Sequence, residues 1–124
     1  MKIYFDGGCV PNPGKMEAAV VSKDGSIKVH TPDLGHGTNN EAEWLGFLWA
    51  VGLAIKNGYK DVEIIGDSNL VIQQAKGAWQ CNSPKLKEYL AQFREVQSSL
   101  KSLKLTHVRR HLNLAGIYIE ELQK

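Results

Sequence analysis

Three acidic positions in this sequence stand where a carboxylate needs a chemical reason. Asp6 follows the strand-like run Lys2-Ile3-Tyr4-Phe5 and precedes Gly7-Gly8. A carboxylate within a sheet costs on the order of several kcal/mol of desolvation unless it is paired or bound to a cation. Glu43 opens an apolar segment in which positions 47, 50 and 54, on the same helical face, are Phe, Ala and Ala. Glu41 has equally apolar neighbours in Leu45 and Leu48, so periodicity does not choose between the two. Asp67 ends the run Val62-Glu63-Ile64-Ile65-Gly66, and the carboxyl ends of strands are where α/β sheets build sites. Each acid has a plain alternative: a strand end accepting backbone N–H groups, an acid favoured by a helix N-terminus, or an N-cap. Together, at one end of one sheet, they would repel one another unless a cation stood between them. Three oxygen ligands suit Mg²⁺ or Mn²⁺ rather than zinc.

The elements that must bring these acids together can be read along the chain. Residues 2–8 form a strand ending in Gly7-Gly8, and residues 16–22 form a second. Lys23-Asp24-Gly25-Ser26 is a hairpin turn by its Asp-Gly pair, Ile27–Thr31 is a third strand, and Asp33–Gly37 is a loop. Thr38 or Asn39 caps a helix running to about Asn57-Gly58, apolar nearly all round and therefore buried on most sides. Val62–Ile65 is a short strand, and Asp67-Ser68 caps a helix reaching Lys76. Pro84 begins an amphipathic helix to about Lys101, Leu103–Val108 alternates as a fifth strand, and a short helix follows. The order βββαβααβα implies an α/β fold with a mixed five-stranded sheet, its first three strands antiparallel and the later two parallel, flanked by helices.

Composition sets outer limits. A chain of 124 residues holds one sizeable core, so residues 1–124 are read as a single domain. Hydrophobic content of 43% with 23% charged residues excludes disorder as the dominant state, and no apolar run is long enough to span a membrane. A net charge of +2 is too mild to argue nucleic acid without a clustered basic face. Cys9 and Cys81 make neither a disulfide framework nor a four-ligand zinc site. They read as free thiols in a reducing cytoplasm, and the N-terminus carries no signal-peptide pattern.

The motifs Asp6-Gly7-Gly8-Cys9-Val10-Pro11-Asn12-Pro13-Gly14, Thr38-Asn39-Asn40-Glu41-Ala42-Glu43, Gly66-Asp67-Ser68-Asn69-Leu70-Val71 and Val108-Arg109-Arg110-His111-Leu112-Asn113 resemble those of type 1 ribonuclease H, in order and over nearly the whole chain. The resemblance implies the ribonuclease H-like fold and an endonuclease that cuts the RNA strand of an RNA–DNA hybrid, leaving a 5′-phosphate. It implies two divalent ions, Mg²⁺ or Mn²⁺, which would activate water and stabilise the departing 3′-oxygen. By motif position Asp6, Glu43 and Asp67 match three of the family's four metal-binding carboxylates, and the motif selects Glu43 over Glu41. Asn12, Thr38, Asn39, Asn40 and Asn69 match positions that contact backbone phosphate or RNA 2′-hydroxyls, a task suited to small amides and hydroxyls. The expected partner is an RNA–DNA hybrid, bound by a monomer away from membranes.

The sequence departs from the family at its fourth ligand, an aspartate opening the last helix, because no aspartate follows Asp67. An ungapped register places Ile117 there, and a register shortened by four places Asn113, whose amide oxygen is able to ligate a metal. We adopt Asn113, with a plain helix N-cap as its competing reading and Glu120 as a more distant candidate. His111, in the loop before that helix, matches a mobile histidine that helps proton transfer or product release in some members. The segment from Lys76 to Lys85 is short and lacks a basic helical protrusion; Trp79, with Lys76, Lys85 and Lys87, is expected to line the DNA-strand groove. The missing aspartate also raises the alternative of a catalytically impaired, nucleic-acid-binding domain.

Overall fold

The computed structural model describes residues 1–124. Its strands are β1 (Lys2–Cys9), β2 (Gly14–Ser22), β3 (Lys28–Thr31), β4 (His36–Gly37), β5 (Asp61–Gly66) and β6 (Ser102–His107). Its helices are α1 (Asn39–Lys56), α2 (Asn69–Lys76), α3 (Pro84–Val96) and α4 (Leu114–Leu122), with single 3₁₀ turns at Gln97–Ser99 and Arg110–Leu112. The sheet order is β3-β2-β1-β5-β6, antiparallel on the β2 side of β1 and parallel on the β5 side. This is the expected mixed five-stranded sheet with one addition. The loop at 33–37 holds a two-residue strand, β4, that pairs with Gly14 and Lys15 at the start of β2.

Strand alternation divides the core between the two faces of the sheet. Ile3 and Phe5 of β1, Val20 of β2 and Ile64 of β5 point to the face covered by α1, α2 and α3, where Phe47 packs edge-on against Phe5, Trp44 and Phe93. Ala19 and Val21 of β2 point to the other face and pack with Ala115 and Ile119 of α4. α3 stops at Val96, short of the expected Lys101, because Leu100 turns inward to the core and Ser102 already donates to the Lys60 carbonyl.

This topology gathers the acids. The parallel β1–β5 register pairs Tyr4 with Ile65, so two residues further along both strands Asp6 stands beside Asp67. α1 crosses β1 so closely that a Cβ on Gly7 would collide with the backbone of Ala42 and Glu43. That glycine is what lets the first turn of α1 reach the end of β1.

Candidate active site

Asp6, Glu43 and Asp67 each offer an oxygen to one cluster, and these atoms lie within 4.8 Å of one another. Asp6 and Glu43 are buried, at 3% and 9% exposure, and Asp67 is half-buried. Thr38 Oγ1 caps α1 by accepting from the Glu41 N–H, which fixes the first turn and aims Glu43 at β1. There Glu43 Oε1 accepts from the Gly7 N–H. Ser68 Oγ caps α2 through the Val71 N–H, so Asp67 is released from capping and faces the cluster.

The electrostatics of this arrangement are unfavourable without a cation. Burial, and then the negative charge of Asp67, push the Asp6 carboxyl up to about 6, although a Glu43 hydrogen bond and the Arg110 charge pull the other way. Burial, and then the charges of Asp6 and Asp67, hold Glu43 well above the usual carboxylate range. Asp6 Oδ1 is buried with no hydrogen-bond partner. An orphaned carboxylate oxygen facing two further carboxylates fits a hard divalent ion, which would reverse both penalties.

Asn113 meets the cluster in a different way from the sequence expectation. It is fully buried, and its Oδ1 accepts from the Ala115 N–H at 3.1 Å as the N-cap of α4. Its Nδ2 donates to the Phe5 carbonyl at 2.9 Å and to Asp67 Oδ1 at 3.4 Å. In this arrangement Asn113 offers no oxygen to the cluster. The atom turned toward the carboxylates is an amide nitrogen, which has no lone pair for a metal, and the oxygen is engaged in the cap. Ile117 does not line the cleft, and Gly116 lets α4 lie against β1, since a Cβ there would stand 3.3 Å from Asp6 Oδ2.

The carboxylates floor an open cleft of about 460 Å³ walled by Gly7, Gly8, Asn39, Asn40, Ser68, Arg110 and Glu120. Arg110, to which the sequence reading assigned no role, is 3.4 Å from Asp67 Oδ2 and 3.9 Å from Glu120 Oε1. His111 is exposed in the same 3₁₀ turn and does not line the cleft. The signal for Arg110 was its place shortly after β6, the parallel neighbour of β5. Asn12 Oδ1 accepts from the Asn39 N–H at 3.1 Å, and Asn39 Oδ1 accepts from the Cys9 N–H at 2.9 Å, which ties the 9–14 turn to the start of α1. Asn69 is half-buried and accepts from Gln73 Nε2. Trp79 is 47% exposed in a second groove, with Gln80, Cys81, Lys87 and Arg94. Of the lysines expected beside it, Lys76 and Lys85 do not line that groove.

Comparison with known proteins agrees with this geometry. A family model described as reverse transcriptase-like matches residues 4–117. Ribonuclease HI of Halobacterium salinarum is 38% identical over 113 residues, which span 89% of this chain and 57% of that protein. The bifunctional protein Rv2228c of Mycobacterium tuberculosis is 30% identical over 90% of this chain but only 32% of its own length. The chain thus spans a little under three fifths of the first relative and a little under a third of the second. Among solved structures, RNase H1 of Halobacterium salinarum superposes with a TM-score of 0.81 at 34% identity, covering 97% of each chain. LC11-RNase H1, solved in complex with an RNA/DNA hybrid, superposes with a TM-score of 0.80 at 26% identity, covering 99% of each. With the fold, the acid-bearing motifs and these likenesses in agreement, the chain belongs to the type 1 ribonuclease H family.

Proposed function

We propose that this chain is an endoribonuclease that hydrolyses the RNA strand of RNA–DNA hybrids, using divalent ions held by Asp6, Glu43 and Asp67. The observation that carries the reading is the unpartnered, buried Asp6 Oδ1 inside a three-carboxylate cluster that opens to a cleft. Mg²⁺ or Mn²⁺ bound there would supply a nucleophile from water and stabilise the departing 3′-oxygen, which leaves a 5′-phosphate on the product.

The chain's own residues hold the reacting groups in place. The Gly7 N–H fixes the Glu43 carboxylate, and the Asn113 amide fixes Asp67, so neither acid needs to reorganise when substrate arrives. Asn12 and Asn39 spend their side-chain oxygens inside the protein. Their NH₂ groups remain to donate to a ribose 2′-hydroxyl or a phosphate, and the 2′-hydroxyl is how RNA is told from DNA. Asn40 on the cleft wall, Thr38 at the head of α1 and Asn69 at the head of α2 extend that row. The Trp79 groove, with Lys87 and Arg94, takes the DNA strand by stacking on sugar and pairing with phosphate.

The test is cleavage of end-labelled hybrid, duplex RNA and duplex DNA with MgCl₂, MnCl₂ or EDTA. Hybrid alone should be cut, only with metal, and the product should carry a 5′-phosphate. Binding of hybrid without cutting in either metal would favour the non-catalytic reading, and cutting of duplex DNA would refute the substrate assignment.

A further inference from the structure

Arg110 is the only cationic side chain on the cleft wall, against the five carboxylates of Asp6, Glu17, Glu43, Asp67 and Glu120. Its Nη1 is 3.4 Å from Asp67 Oδ2 and its Nε is 3.9 Å from Glu120 Oε1, so one guanidinium is shared between the cluster and α4. Asp67 Oδ1 meanwhile accepts from Asn113. Both oxygens of Asp67 are thus engaged by protein donors, whereas Asp6 keeps a buried oxygen with no partner. The last helix adds no carboxylate to the cluster: Asn113 turns its NH₂ inward, and Glu120 faces Arg110.

From this asymmetry we infer that Arg110 is a resident counter-charge on Asp67, which weakens the free protein's hold on divalent ions and is drawn off by a substrate phosphate. The inference rests on the metal reading proposed above and adds an order of events to it. The Asp6–Glu43 side, where Asp6 Oδ1 has no partner, would hold a divalent ion without displacing a protein cation. Full use of Asp67 requires the guanidinium to leave, because a fixed positive charge a few ångströms from a divalent ion opposes its binding. Arg110 is free to leave, since its side chain is 64% exposed and anchored otherwise only by the exposed Glu120. A phosphodiester in the cleft offers it a planar, bidentate partner stronger than a 3.4 Å contact to one oxygen. Metal loading and substrate binding are then coupled through one side chain.

The experiment is calorimetric titration of MnCl₂ into the wild-type chain, Arg110→Gln, Arg110→Lys, Arg109→Gln and Asp6→Asn without nucleic acid, with melting curves at matched MnCl₂ as a second readout. Arg109 is a fair control because it is exposed and does not line the cleft. Arg110→Gln should bind Mn²⁺ about tenfold more tightly than wild type and gain more melting temperature from it. Arg110→Lys should stay near wild type, and Arg109→Gln should shift far less than Arg110→Gln. In EDTA, Arg110→Gln should bind hybrid more weakly, with a salt-dependence slope reduced by about one. Equal Mn²⁺ affinity in Arg110→Gln and wild type, an equal shift from Arg109→Gln, or an unchanged salt slope would overturn the inference. Asp6→Asn separates the two claims: if it binds Mn²⁺ as wild type does, the metal assignment itself fails.

Discussion

Replacing Asp6 by asparagine should make the metal-free protein more stable while abolishing hybrid cleavage, and the size of the gain follows from the site. Asp6 titrates near 3.8 in an unfolded chain and at about 6 in the folded one, raised by burial first and by Asp67 second. Because the folded value is the higher, the folded protein keeps its proton longer, and stability falls as pH rises from the unfolded value through the folded one. Above that window the ionised Asp6 costs about 3 kcal/mol, from a rise of roughly two pH units. At about pH 5 the same linkage gives roughly 1.6 kcal/mol. Asparagine is isosteric, carries no charge to bury, and lifts one of the repulsions on Glu43. In EDTA the Asp6→Asn variant should therefore melt about 10 °C above wild type at about pH 8, with roughly half that gap at about pH 5. On the proposed metal reading, saturating Mg²⁺ or Mn²⁺ should stabilise only the wild type, by about 2.7 kcal/mol at a hundredfold excess over Kd, so the gap should nearly close. Calorimetric melting across pH, with and without metal, reads all of this. An Asp6→Asn variant less stable than wild type in EDTA at about pH 8, or a gap that ignores pH and metal, would refute the account.

Asn113→Ala removes the α4 cap and leaves the buried Phe5 carbonyl without its donor; urea melts should show a loss of about 2–3 kcal/mol. Asn113→Asp should cost more than the alanine change in EDTA at neutral pH, because it sets a carboxylate oxygen against the Phe5 carbonyl and Asp67, and it should recover as pH falls or metal is added. Gly7→Ala drives a methyl into the Ala42 backbone, which cannot yield as a side chain would; equilibrium melts should show about 2–3 kcal/mol lost, with cleavage falling further because Glu43 moves. Trp79→Ala should change the melting temperature little, since the ring is half in solvent, yet weaken hybrid binding several-fold in a filter-binding assay.

Most of the architecture was legible because local signals agreed with one another. Alternation in residues 2–8, the Asp24-Gly25 hairpin, the Thr38 cap and the Pro84 start each carry a local physical cause, and each element formed within a few residues of its expected bounds. β4 escaped because it is two residues pairing by backbone alone, which leaves no periodicity in the side chains. The end of α3 escaped because it is set by a distant partner: β6 must begin where Ser102 meets Lys60 and Asp61, and that pulls Leu100 out of the helix.

The site divides along the same line between local and distant causes. Asp6 could be singled out as a carboxylate within a strand, Glu43 near the start of a buried helix and Asp67 just past a strand end, and parallel β1–β5 pairing then forces two of them side by side. Asn113 could be placed at a helix start from sequence, where it is the N-cap, but which end of its amide faces the cleft could not be read. Whether an amide shows a cleft its oxygen or its nitrogen depends on its partners, here the Ala115 N–H on one side and the Phe5 carbonyl, 108 residues away, on the other. Arg110 and His111 are adjacent in the chain and alike in sequence context, yet the 3₁₀ turn sends one into the cleft and the other into solvent. The parts of the site that tune charge are thus the parts fixed by tertiary contact. The carboxylates are set by two strands and a helix start, while the groups that neutralise and orient Asp67 come from the loop between β6 and α4. Asn113 ties that loop to β1 through the Phe5 carbonyl, so the chain lacks an aspartate there and still holds its three carboxylates close together.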